Sequence, residues 1–174
     1  MMVVAGLGIL LIVVLAAIKI TPVAVYENKE LGFSIKYPEY WRVVEKPQNV
    51  DVVVFVSPQE SEADAYWENV NVTVVPLDPK ISSLGKFTTV TIRQLTGVFE
   101  GQIQVLQSYP FSVGGRPGHV LVFCGRNTAE PIQYMHAWTV WGTRAYIITY
   151  TALKKDFDNY AADAMDMIKS FKLL

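Results

Sequence analysis

Apolar and polar residues alternate with a period of two along much of this chain, and that pattern limits its folds more than any other feature. Phe33, Ile35 and Tyr37 interleave with Ser34 and Lys36, so one face of the stretch is buried and the other is wetter. The preceding Val23–Tyr26 pairs with it across Asn28–Gly32, a hairpin-length connection that ends in glycine. Pro38 stops the ladder because it has no backbone donor. Val52–Val56 is a continuous apolar run, expected as a strand covered on both faces. Asn71–Val75 reads as another strand, closed by Pro76 and Pro79. Three more are expected near Gln104–Val113, Pro117–Gly125 and Ile132–Trp141, with turn signals at Gly114-Gly115 and Gly142-Thr143. A fourth, Ala145–Thr151, completes a meander.

Two stretches change to helical spacing. In Ser82–Thr96, Leu84, Phe87, Thr91 and Leu95 fall at steps of three and four; Ser82 or Ser83 can cap, and Gly97 can end the helix. The β-branched run Thr88–Ile92 lowers its propensity. Near the C-terminus, Leu153, Phe157, Tyr160, Ala161, Ala164, Ile168 and Phe171 form one apolar stripe, with Lys154, Lys155, Asp158, Asp163, Asp166 and Lys169 mainly off it. Short turns between consecutive strands give antiparallel pairing with helices packed on the sheet, an α+β class.

Charge is distributed unevenly. Met1–Ile18 carries none, and Lys19 is the only charge before Glu27. Spanning hydrocarbon takes roughly 20 apolar residues, and a core helix of a soluble domain would show a polar stripe. Residues 1–25 are therefore expected to be an N-terminal transmembrane anchor and residues 26–174 the folded domain. A cleaved signal peptide fits less well: the basic n-region is missing, and Val14-Leu15-Ala16 is a poor cleavage site. Lys19 alone is too little charge to set orientation; the domain is expected outside the cytoplasm, at the cell membrane.

With 15 basic and 16 acidic residues, the chain is not built to hold nucleic acid by phosphate neutralisation. Its single cysteine, Cys124, excludes an intrachain disulfide and a cysteine-rich zinc module. A domain of about 150 residues buries about 68–70% of its unfolded surface and folds without either.

The run Gly32-Phe33-Ser34-Ile35-Lys36-Tyr37-Pro38-Glu39-Tyr40-Trp41 resembles the opening of PsbP-like domains, a glycine–aromatic strand followed by Tyr-Pro and a nearby Trp. Tyr146–Ala152, then a helix with Phe157 and Tyr160, then Ile168-Lys169-Ser170-Phe171 resemble their end. Gly115-Arg116-Pro117-Gly118 resembles the glycine turn before their central hairpin. The resemblance covers about residues 26 to 172. It implies an antiparallel sheet sandwiched by helices. It also implies a relation to the extrinsic subunits at the oxygen-evolving side of photosystem II, which help retain calcium and chloride, or to prokaryotic envelope relatives without known activity.

Candidate chemistry is sparse. His119 and His136 are the only histidines and lie on neighbouring expected strands. A turn centred near Asn127 and Thr128 puts His119 beside Trp138 and diagonal to His136, within about 7–8 Å; a one-residue slip separates them to opposite faces. They could supply half of a zinc site, which needs three or four ligands. The acidic loop Ser57–Asp64 offers calcium oxygens but fails the EF-hand spacing, since Ala65 and Asn71 stand where Gly and Glu are required. Tyr37-Pro38 and Trp41 read as aromatics plugging a sheet edge. Cys124 reads as buried and inert. Asn71-Val72-Thr73 is a glycosylation sequon that matters only in an exported chain. No Ser-His-Asp order, Walker loop or dinucleotide-binding glycine pattern is present.

These readings point to a non-enzymatic interaction or assembly module, needing no cofactor, with a membrane-protein partner. The rival is a small-ligand or metal-binding envelope domain using His119 and His136, with calcium or zinc as the ion. A pocket between sheet and helix lined by His119, His136 and Trp138 favours the rival; a filled interior favours the module.

Overall fold

The computed structural model describes residues 21–45, 51–62, 66–81, 83–98, 102–125 and 130–174. Of the expected anchor, residues 1–25, residues 1–20 lie outside those described, whereas Val23–Val25 belong to the first strand of the domain, so the anchor boundary given above is too long; among the described residues no helix is long and apolar enough to cross a membrane. In chain order come β1 (Val23–Asn28), β2 (Phe33–Pro38), β3 (Arg42–Glu45), β4 (Asp51–Val56) and β5 (Asn69–Pro76). A 3-10 turn at Pro79–Ile81 leads into α1 (Leu84–Val98). Then follow β6 (Ile103–Val113), β7 (Arg116–Gly125), β8 (Ile132–Trp141), β9 (Arg144–Leu153), α2 (Phe157–Ser170) and β10 (Lys172–Leu173).

Asn28 builds the first turn. Its Oδ1 accepts the Leu31 N–H at 2.9 Å, and the Gly32 N–H donates to its carbonyl at 2.9 Å. The antiparallel β1–β2 hairpin that results takes β10 on the other side of β2, forming a three-stranded sheet. The larger sheet has seven strands in the order β3-β4-β5-β9-β8-β7-β6, all neighbours antiparallel. The chain leaves β5, passes through α1 to the far edge, and returns by the β6–β9 meander to pair beside β5. Gly114 and Gly115, at φ of 62° and 73°, make the tight β6–β7 turn, a conformation that favours glycine.

Alternation sorts side chains to two cores. Val120 and Val122 of β7 point to one face with Phe55, Ile148 and Tyr150, where α2 and the small sheet close over them. The small sheet packs there through rings: Phe33 lies 6.4 Å from Tyr146, and Tyr37 lies 4.8 Å from Phe55. Leu121 and Phe123 point to the other face, where α1 supplies Phe87. The layers are thus α1, the seven-stranded sheet, then α2 with the small sheet.

Two further expectations change. Leu153 ends β9, so the apolar stripe of α2 starts at Phe157. The Val52–Val56 run is covered unevenly: Val53 and Phe55 are fully buried on one face, while on the α1 side Val56 is 9% exposed and Val54 half-buried. The edge strand β3 and the two-residue β10 had no sequence signal.

Candidate functional site

The β7–β8 register places His119 opposite Trp138 and Leu121 opposite His136, so the two histidines share the α1 face in diagonal positions. Their ring contacts are with different neighbours. His119 stacks on Trp138 at 5.2 Å between centroids, and its Nε2 shares a 2.8 Å hydrogen bond with Ser108 Oγ on β6. His136 packs edge-on against Phe123 at 5.1 Å and Tyr134 at 6.0 Å, rings that themselves stack at 4.9 Å.

Burial holds both imidazoles below their ordinary range, His136 down to about 4. Both are therefore neutral near pH 7, the state a metal ligand requires. A third ligand is missing: among the described residues no group of three or more His, Cys, Asp or Glu side chains is placed to hold a metal. Ser108 and His119 resemble a nucleophile–base pair, yet among the described residues His119 has no carboxylate to orient it.

Between sheet and helix, the space beneath α1 is filled. Phe87 meets Trp138 edge-on at 6.5 Å, Leu121 and Trp138 are fully buried, and the Trp138 indole N–H donates to Thr88 Oγ1 at 2.9 Å.

Two features carried no sequence signal. Glu68, 2% exposed, accepts a hydrogen bond from Ser57 Oγ at 3.0 Å, while the Ser57 N–H donates to the Glu68 carbonyl at 2.8 Å. This pair ties the two ends of the acidic loop together at its base. Burial is the main cause of the raised Tyr150 and Tyr160 phenols, and the Glu68 carboxylate adds to it. On the uncovered part of the α1 face, Arg42 lies 5.5 Å above the Trp67 ring beside a shallow depression of about 470 Å³. Val54, Val56, Tyr66 and Asn69 line it with them. Residues so far apart in sequence meet only through β3–β4–β5 pairing.

A family model described as PsbP matches residues 21–173. The chain belongs to the PsbP family. Its structure is similar to cyanobacterial PsbP (CyanoP) from Synechocystis sp. PCC 6803, with 15% identity, a TM-score of 0.61, and coverage of 91% of this chain and 96% of that one. The Saccharomyces cerevisiae Ran-binding protein Mog1p gives 13% identity and a TM-score of 0.60, covering 88% and 96%. LpqN of Mycobacterium tuberculosis, described as involved in cell envelope biogenesis, gives 10% and 0.56, covering 87% and 85%. At such identities the likeness shows the fold alone. No curated protein matches in sequence.

Trp41 and Tyr40, two of the residues that carried the PsbP resemblance, both contact α2. Trp41 is 3% exposed and sits edge-on to Tyr160 at 5.5 Å. Tyr40 donates to Asp163 Oδ2 at 2.5 Å, and burial together with that carboxylate pushes its phenol up to about 12. Cys124 is buried as expected, its Sγ 3.4 Å from the Gly125 carbonyl. Asn71 and Thr73 of the sequon sit inside β5, paired on both sides, rather than in a loop. In the acidic loop Glu60 and Glu62 are exposed, and Glu60 accepts from Asn159 Nδ2 of α2 at 3.2 Å; Asp64 lies outside the described residues.

Proposed function

We propose that this PsbP-family chain is a single-pass, membrane-anchored domain outside the cytoplasm that works as a non-enzymatic interaction or assembly module on a membrane-protein partner. The observation that carries the reading is the filled interior beneath α1, where Phe87, Leu121, Phe123 and Trp138 occupy the space a ligand would need. Membership of a family of accessory proteins supports the non-catalytic part. The charge-free residues 1–18 support the anchor.

Carbonate washing of membranes tests the anchor. The full chain stays in the pellet, and a chain starting at Val23 is soluble; full-length protein in the wash supernatant contradicts it. Protease applied to intact cells tests orientation, since digestion of the domain is expected and full protection of a protease-sensitive domain refutes it. The rival, a calcium or zinc site using His119 and His136, draws its support from their shared face and neutral imidazoles.

A further inference from the structure

The outer face of the small sheet is the least expected surface on the domain. Val23 and Val25 are 51% and 59% exposed, and they alternate with Ala24 and Tyr26, which turn inward. β1 is the free edge of its sheet among the described residues. The outward neighbours across β2 are Lys36, opposite Val25, and Ser34, opposite Glu27; Lys172 of β10 also lies opposite Ser34. Glu27 is within 3.7 Å of Lys29. The surface is therefore two exposed valines, Val23 opposite Pro38 and Val25 opposite Lys36, with Asp163 and Asp166 of α2 lining the same depression as Val23 and Lys36, so that its charges are mixed.

Position decides what covers it. The charge-free stretch ends at Ile18, five residues before Val23, and five residues reach at most about 18 Å even when fully extended. Given the anchored reading, on which this step rests, the start of β1 cannot leave the vicinity of the bilayer. A tether also makes weak contacts effective, because the association is already intramolecular and no translational freedom is lost. Lysine stems suit such a place, lying along apolar surface with the ammonium in the headgroup layer.

We infer that β1 lies on the lipid surface, with Val23 and Val25 against the headgroup layer. The small sheet and α1 cover opposite faces of the seven-stranded sheet, so this placement turns α1, Ser108–His119 and the Arg42–Trp67 depression toward the aqueous side. A membrane-protein partner is then met by that far face, while β1 sets the tilt of the domain. The contact is apolar and needs no anionic lipid.

Site-directed fluorescence quenching tests this on the full chain in phosphatidylcholine vesicles. Cys124 is 2% exposed, so an introduced cysteine is the accessible one, and the parent protein serves as the unlabelled control. Three variants carry an environment-sensitive thiol label: V25C, G85C and L11C. Gly85 is exposed on α1 with no atom within 4 Å of an added Cβ. Nitroxide on the lipid headgroup is expected to quench the label at position 25 at least twofold more than the label at 85. Adding V23D to V25C should remove that excess while the protein stays in the carbonate pellet. Equal quenching at 25 and 85, with the label at 11 quenched by acyl-chain nitroxide, overturns the inference and leaves the anchor standing. An unquenched label at 11 overturns the anchored reading, and this inference with it.

Discussion

The Trp138 indole N–H donates to Thr88 Oγ1 at 2.9 Å, a bond that fastens α1 to the centre of the β7–β8 pair. Trp138 is fully buried, and α1 contributes only one buried side chain, Phe87. A helix so rich in β-branched residues has weak propensity of its own. Its place rests on this bond, on the Phe87 contact and on the partly buried Leu84, Ile92 and Leu95 packed against the same cluster.

Thr88→Val keeps the shape and removes the acceptor. An unpaired buried donor costs about 1–3 kcal/mol, so the urea midpoint should fall by that equivalent. Amide exchange should accelerate in α1 more than in α2. Equal acceleration in both helices contradicts the role given to this bond.

Phe157→Ala tests the opposite core. The ring is 6% exposed and lies 4.9 Å from Tyr150, whose hydroxyl donates to the Phe157 carbonyl at 2.9 Å. Loss of about 3–5 kcal/mol is expected, a large share of the 5–15 kcal/mol typical of a domain. Chemical denaturation reads it directly; a loss under 1 kcal/mol contradicts this packing.

Gly118 packs where no other residue fits. A Cβ there would stand 2.5 Å from the Trp138 carbonyl oxygen, which is backbone of the neighbouring strand and cannot swing away. Gly118→Ala should therefore destabilise by about 1–3 kcal/mol, whereas Gly97→Ala, in the open on α1, should be neutral or stabilising. Thermal melts of the two variants check the contrast.

Acid weakens the fold through His136. Burial lowers its imidazole from about 6.5 to about 4, so the unfolded chain binds a proton at pH values where the folded chain does not. That contribution is fully present above pH 6.5, declines as pH falls toward 4, and is level below it. Its size is at most about 3–4 kcal/mol. Urea midpoints at pH 7, 5.5 and 4 should fall less steeply for His136→Gln than for the parent. Parallel declines contradict the assignment.

The meander from β6 to β9 was legible in the sequence almost to the residue, because Gly114-Gly115 and Gly142-Thr143 mark its turns and alternation fixes its faces. The same turn logic put His119 beside Trp138. β3 was not legible: Arg42-Val43-Val44-Glu45 is too short to alternate, and only β4 makes it a strand. Leu153 joined the helical stripe by spacing, yet it lies within the ladder opposite Ile132. The Ser57–Glu68 pair and the Arg42–Trp67 contact bring together residues 11 and 25 positions apart, which no local period encodes. Nor does a periodic pattern tell whether the space between a sheet and a helix is filled, and the functional reading turned on that.

The most direct test of the metal-independent module is the melting temperature with and without chelator and with added zinc or calcium. A closed, aromatic-filled interior predicts no change in any arm, and only a small change for the double variant His119→Gln, His136→Gln. For a chain of this size about 1 kcal/mol shifts the midpoint by 2–4 °C. A chelator-induced drop of several degrees that the double variant abolishes would contradict the account and make His119 and His136 a metal site.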